Sequence, residues 1–159
     1  MSTCRRASER DIPALVQLIN RAYEIEAFFV TGDRTDAAEV SGLFAAGDFI
    51  VLEVEPGAPL VGCVYIAARP DARAYLGLLS VEPRAQKAGV GRRLVAAAEE
   101  HARGLGARVM DLVVVDLREE LPVWYGKLGY RVSGEEPIPE EKTDRFTRPV
   151  KFVCMEKVL

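Results

Sequence analysis

The sequence predicts an α/β fold: a mixed, mainly antiparallel sheet flanked by helices. Three observations carry that reading. At Phe49 the apolar periodicity changes from helical to strand-like. Three strand-like runs then follow, residues 49–55, 60–69 and 74–81, divided by Pro56-Gly57-Ala58-Pro59 and Pro70-Asp71, which makes a β-meander. From Gly91 the period lengthens again, and Leu94, Val95, Ala98, Ala102 and Leu105 form one helical stripe. Residues 109–115 are almost all apolar, as expected of a central strand covered on both faces.

The remaining elements follow in chain order. A short strand around Cys4 opens the chain. Ser8-Glu9-Arg10-Asp11 fits a helix start, because the serine can cap and the acid three residues on can return a bond to it. Ile12, Leu15, Val16, Ile19, Ala22 and Tyr23 then recur at helical spacing, and the pattern breaks at Thr31-Gly32-Asp33. Residues 36–45 form a second helix stopped by Gly47. The helix from Gly91 stops at Gly104 and Gly106, and Leu121, Trp124, Tyr125 and Leu128 mark another that ends at Gly129. Strand character returns at residues 130–132 and 150–158, giving the order β-α-α-β-β-β-α-β-α-β-β.

Composition bounds the function. A length of 159 residues suits one domain, 1–159, able to bury about two-thirds of the surface its unfolded chain exposes. With 49% hydrophobic and 28% charged residues, the disordered, collagen-like and coiled-coil classes are excluded. No apolar run reaches the roughly 18 residues of a membrane span. Met1-Ser2-Thr3-Cys4-Arg5-Arg6 is not followed by the apolar stretch of a secretory signal, so a cytoplasmic location is expected. A net charge of −3 offers no global attraction to nucleic acid or to an anionic membrane, so neither is an expected partner. Cys4, Cys63 and Cys154 stand far apart and read as three buried thiols, with neither disulfides nor a metal site. His101, the only histidine, reads as a solvated helix residue. With that one histidine read as a solvated residue rather than a base, Ser-His-Asp, Cys-His and multi-histidine metal chemistry lose their central group.

The segment Leu79-Ser80-Val81-Glu82-Pro83-Arg84-Ala85-Gln86-Lys87-Ala88-Gly89-Val90-Gly91-Arg92-Arg93 is a strand, a loop with two glycines and a helix N-terminus. Unpaired N–H groups and a partial positive charge at that terminus favour an anion, and the glycines allow close approach. Arg84, Lys87, Arg92 and Arg93 face one acid, Glu82. A Walker loop would end Gly-Lys-Ser/Thr, and Gly91-Arg92-Arg93 does not. A dinucleotide fold would place a third glycine where Leu94 stands.

Gln86-x-x-Gly89-x-Gly91, after Leu79-Ser80-Val81-Glu82-Pro83, resembles the acyl-CoA-binding motif of the GCN5-related N-acetyltransferase (GNAT) superfamily. Leu121-Pro122-Val123-Trp124-Tyr125-Gly126-Lys127-Leu128-Gly129-Tyr130 resembles that family's late helix, and the two blocks occur in family order. The resemblance implies the GNAT-like sheet, splayed where coenzyme A enters, and acetyl-CoA as co-substrate with no metal. It implies direct acetyl transfer, in a ternary complex, to a primary amine of a small molecule, amino acid or peptide. Leu79, Ser80 and Val81 would offer backbone groups to the pantetheine arm and the thioester carbonyl. Gln86, Lys87, Ala88, Gly89, Val90, Gly91 and Arg92 would hold the pyrophosphate. Tyr125 matches the position often used as general acid toward the departing thiolate, and is otherwise a packed stripe residue. The asparagine the family often has before this helix is replaced around Leu117-Arg118-Glu119, where Arg118 would reach the cofactor's phosphates.

The acceptor wall is expected from Tyr23-Glu24-Ile25-Glu26-Ala27-Phe28-Phe29. Glu24 and Glu26, two apart, cannot share one helix face. Glu26 is the candidate base or acceptor contact, while Glu24 and Phe28 are further substrate contacts and Arg34 a partner for an acceptor carboxylate. A net negative chain weakly favours a cationic acceptor. The alternative is a non-catalytic acyl-CoA-binding or sensory module, and a homodimer stays open.

Overall fold

A computed structural model describes residues 3–159. Met1 and Ser2, the head of the segment weighed for a signal, lie outside the described residues. Strand β1 (Thr3–Arg6) leads through a 3-10 turn into helix α1 (Ile12–Ala22). The capping acid behaves as its spacing predicts: the Ser8 N–H donates to Asp11 Oδ2 at 2.8 Å. The helical spacing that continues past Ala22 is realised as a 3-10 segment, Tyr23–Phe28. Helix α2 (Ala37–Ala46) is capped by Asp36, which accepts from the Glu39 N–H, and it ends at Gly47.

The meander forms as β2 (Asp48–Glu53), β3 (Leu60–Arg69) and β4 (Arg73–Val81), followed by α3 (Val90–Gly104), β5 (Val109–Val115), α4 (Glu120–Lys127), β6 (Arg131–Pro137) and β7 (Lys151–Val158). The seven strands lie in the order β1-β2-β3-β4-β5-β7-β6. Every neighbouring pair is antiparallel except β4 and β5. That parallel pairing covers only Arg73↔Val109, Ala74↔Met110 and Tyr75↔Asp111. Beyond Tyr75 the two strands separate, and the sheet is split.

Helix α3 covers one face through Leu94, Val95, Ala98 and Ala102, packed on Val64, Ile66, Leu76, Met110 and Leu112. On the other face Leu15, Leu18 and Ile19 of α1 join Val40 of α2 over Phe49, Val51 and Cys63. Gly62 in β3 permits the close approach of α3: an added Cβ would stand 2.6 Å from Leu94 Cδ1 and 3.1 Å from the Ser80 carbonyl oxygen. Gly62→Ala is therefore expected to cost about 1–3 kcal/mol through overpacking. Calorimetry should show Tm lowered by roughly 2–10 °C, and an unchanged Tm would mean that α3 is free to shift.

Several expectations need correction. Strand β5 is covered on one face only. Met110, Leu112 and Val114 are buried, but Asp111, Val113 and Val115 face a hollow, because α1 and α2 lie over β2 and β3 and leave this part of the sheet uncovered. Of the three thiols only Cys63 is fully buried, its pKa pushed up to about 12 by burial; Cys4 and Cys154 are half-buried, and none is in a disulfide. His101 is not simply solvated. Its Nε2 lies 2.8 Å from Asp48 Oδ2, because α3 packs across β2, and Arg6 binds the same carboxylate at 2.6 Å. Those two hydrogen bonds overcome burial and hold the Asp48 carboxyl below its usual range. The last antiparallel pair is longer than its apolar pattern: β6 runs on through polar residues to Pro137, and a 3-10 segment, Glu140–Arg145, fills the connection.

Candidate active site

The split between β4 and β5 opens into a groove of about 1550 Å³ that passes through the sheet. That exceeds the ~300–1,000 Å³ of ordinary small-ligand pockets. One end lies on the α3 side and the other beneath the 3-10 segment after α1.

At the α3 end the loop with two glycines runs directly into the helix N-terminus. Lys87 and Gly89 both adopt left-handed backbone, at φ 72° and 81°. Gly89 is the N-cap of α3, no side chain caps the helix, and a Cβ at Gly89 would meet nothing within 4 Å. The first intrahelical bond runs from the Arg93 N–H to the Gly89 carbonyl, so the preceding N–H groups have no intrahelical acceptor. Gln86, Lys87, Gly89, Gly91 and Arg92 line the groove, as do Leu79 and Val81 of β4. Ser80, Ala88 and Val90 do not. Ser80 is buried with its Oγ donating to the Leu78 carbonyl at 2.9 Å, Val90 belongs to the core, and Ala88 is exposed. Gly91 lets Trp124 close in, since an added Cβ would lie 3.1 Å from Trp124 Cζ2.

Beside the split, β3 and β4 slip register between Cys63 and Tyr65, and Leu78 sits at φ 50°. A left-handed leucine is uncommon and strained, and it bulges β4 where the strands part. With β5 gone beyond Tyr75, the backbone on that edge of β4 has no strand partner there.

Tyr125 joins both of its proposed environments. It is 5% exposed and packs edge-to-face on Trp124 and Tyr130, yet it also lines the groove. Its hydroxyl makes no hydrogen bond to the described residues, while no buried side-chain polar atom among them lacks a partner, so the hydroxyl opens into the groove. Burial pushes this phenol well above its ordinary pKa, keeping it protonated.

The acceptor side separates the two glutamates as their spacing predicts. Glu26 is buried and lines both the groove and a small adjoining hollow; Glu24 is exposed and lines only that hollow. Phe28 is half exposed, does not line the groove and lies under Arg148. Arg118 binds Glu26 at 2.8 Å and Glu120 at 2.9 Å, so its guanidinium is held by two carboxylates rather than directed at a phosphate. Burial raises the Glu26 carboxyl above its usual range, and Arg118 opposes the shift. Tyr23, the first residue of the expected acceptor wall, lines the site, and so does Tyr75, which the sequence does not single out; burial pushes Tyr23 to about 12 and raises Tyr75. A period-2 reading of β4, with Tyr75 and Gly77 on one face, could have found Tyr75. Nothing in the local sequence points to Arg145, which reaches the groove from the β6–β7 connection.

A mixed sheet split at one parallel pair, with an open helix N-terminus at the gap, is a scaffold for an extended anionic ligand lying against a splayed sheet. The chain belongs to the acetyltransferase (GNAT) family, whose sequence model matches residues 12–130. It is 27% identical over 139 residues to the amino-acid acetyltransferase of Neisseria meningitidis, covering 87% of this chain but only 29% of that one. The chain thus spans under a third of the length of the curated relatives it matches. Among solved structures, the ribosomal-protein-S18-alanine N-acetyltransferase from Escherichia coli superposes with a TM-score of 0.79 at 17% identity, over 99% of this chain and 94% of that one. A putative acetyltransferase from Salmonella typhimurium, solved with acetyl-CoA, gives a TM-score of 0.73 at 22% identity, over 99% and 94%. Both likenesses show the fold. Among the described residues, no helix is long and apolar enough to cross a membrane, and no cluster of His, Cys, Asp or Glu could hold a metal.

Proposed function

We propose that residues 1–159 form one N-acetyltransferase domain that moves an acetyl group from acetyl-CoA to a primary amine by direct attack in a ternary complex. The observation that carries this reading is the open N-terminus of α3, with Gly89 free of neighbours, facing the same through-sheet groove as Tyr125 and Glu26. The residues fit a diphosphate: unpaired N–H groups, a left-handed glycine and the cations Lys87 and Arg92 meet at one place. Bound there, the thioester supplies an activated acetyl group.

The protein's own groups do the rest. The β5-facing edge of β4, from Leu79 to Val81, presents backbone groups along the arm of the coenzyme and to the acyl oxygen. Tyr125 holds a proton at the groove wall for the departing thiolate. Glu26 accepts a proton from the acceptor ammonium, and Arg118 orients that carboxylate. Three free cysteines fit a reducing, cytoplasmic setting.

The test is release of free thiol from acetyl-CoA across a panel of amines and amino acids together with peptides. Saturable CoA binding with no release on any amine would leave a non-catalytic acyl-CoA module instead. The pH profile supplies a second check. Glu26 must be ionised to take a proton, so kcat/KM should fall as pH drops through a value above the ordinary glutamate range. Glu26→Gln should remove that acidic limb and lower kcat by roughly 10²–10⁴. A profile identical to wild type would remove Glu26 from the proton path.

A further inference from the structure

Around the acceptor end of the groove, cations outnumber the carboxylates able to answer them. Four lining carboxylates are already held: Glu26 and Glu120 by Arg118, Asp111 and Glu156 by Arg73. A fifth, Glu136, lies beside the Cys154 thiol on the β6–β7 side. Arg34, Arg69 and Arg145 also line the groove, and Lys142 adds a further positive charge at its rim. Among the described residues Arg69 and Arg145 have no ion-pair partner. Arg34 has only Glu39, at 3.5 Å, and that carboxylate is already bound by the Thr35 hydroxyl at 2.8 Å.

The three arginines are not loose surface charges. Arg34 lies over the Tyr23 ring at 5.3 Å and Arg69 over the Tyr75 ring at 4.4 Å. Arg145 donates to the Arg34 carbonyl at 2.9 Å. Tyr23 and Tyr75, the two rings that carry Arg34 and Arg69, both line the groove, as do all three arginines. A ring face under each of Arg34 and Arg69, and a backbone carbonyl bound by Arg145, restrict these planar donors in advance, which suits two-pronged binding of a carboxylate.

The same region is roofed. Val30 and Phe146 form an antiparallel bridge, flanked by the Thr31 N–H donating to the Arg145 carbonyl at 2.8 Å and the Thr147 N–H donating to the Phe29 carbonyl at 2.9 Å. The Phe29 and Phe146 rings stack at 6.3 Å beneath it. The segment after α1 and the β6–β7 connection, both of which line this end of the groove, are therefore bonded to each other.

From this geometry we infer that Arg34, Arg69 and Arg145 form an anion subsite, and that the acceptor is a small amine carrying its own acidic group, such as a free α-amino acid. This rests on the acetyltransferase reading and reverses the weak expectation of a cationic acceptor. The net negative charge of the whole chain does not describe the local field inside this hollow.

The experiment compares free amino acids with their primary amides, and adds aminomethylphosphonate to separate carboxylate from phosphonate recognition. Thiol release should give kcat/KM at least tenfold higher for the preferred amino acid than for its amide. Arg34→Gln and Arg69→Gln should each collapse that ratio toward one, with partial return in Arg34→Lys. Equal rates for acid and amide in the wild type, or a ratio unmoved by either variant, would overturn the subsite while leaving the acetyltransferase reading intact. Binding is measured separately, as the thermal shift given by N-acetyl amino acids and by their amides in the presence of CoA. A shift for the acids that is lost in Arg34→Gln, without turnover on any amine, would keep the subsite and remove the enzyme. No preference for the acids in that assay overturns the subsite whatever the turnover.

Discussion

Gly89→Asp is expected to weaken coenzyme A binding by on the order of 100-fold while leaving the protein folded. Gly89 stands at φ 81°, and a side chain there meets nothing within 4 Å, so only backbone strain opposes the change. Aspartate tolerates left-handed backbone better than most residues, and an acid at a helix N-terminus favours the helix dipole. Its carboxylate would nonetheless stand where the diphosphate is proposed to lie. Two like charges about 5 Å apart at an effective dielectric near 20 repel by about 3 kcal/mol, or on the order of 100-fold in Kd. Calorimetric titration with CoA, beside Tm and circular dichroism, separates the two effects. Gly89→Ala is the control: it carries the backbone strain without the charge and should lose much less affinity. Wild-type affinity in the aspartate variant would refute the phosphate cradle.

Tyr125→Phe should reduce kcat by roughly 10²–10⁴ with little effect on CoA affinity or Tm. The hydroxyl makes no hydrogen bond to the described residues, so its removal leaves no buried partner unsatisfied. The ring remains on Trp124 and Tyr130 at 4.9 and 5.6 Å, so the core is preserved. A loss confined to turnover thus reports the proton. Unchanged turnover would reduce Tyr125 to packing. Burial keeps the phenol protonated, so any alkaline fall in wild-type activity should persist in the phenylalanine variant.

Local chemistry explains why some of the site could be read directly. The turn from Gln86 to Arg92 is written in adjacent residues: glycines where the backbone turns left-handed, cations beside a helix start. The Asp36 cap and the Gly47 stop bracket α2 for the same reason. Strand β3 follows its predicted limits because prolines and glycines bound it. Residues 130–137 were legible only in part, since β6 continues into polar sequence where pairing with β7, not an apolar pattern, defines the strand.

Other parts were invisible because their partners are distant in the chain. Glu26 reads alone as one more helix acid; it becomes a buried groove residue only when Arg118, 92 positions away, folds against it. His101 reads as solvated until α3 sets it on Asp48.

By itself the sequence determined the order of elements, the two glycine turns and the family, since each depends on spacing along a short stretch of chain. Tertiary structure alone decided that β5 leaves one face open and that β4 bulges at a left-handed Leu78. It also brought Arg34, Arg69 and Arg145 to one hollow. Packing energies and electrostatic fields depend on distances in space, and three arginines drawn from three separate segments share no periodicity that could announce their meeting.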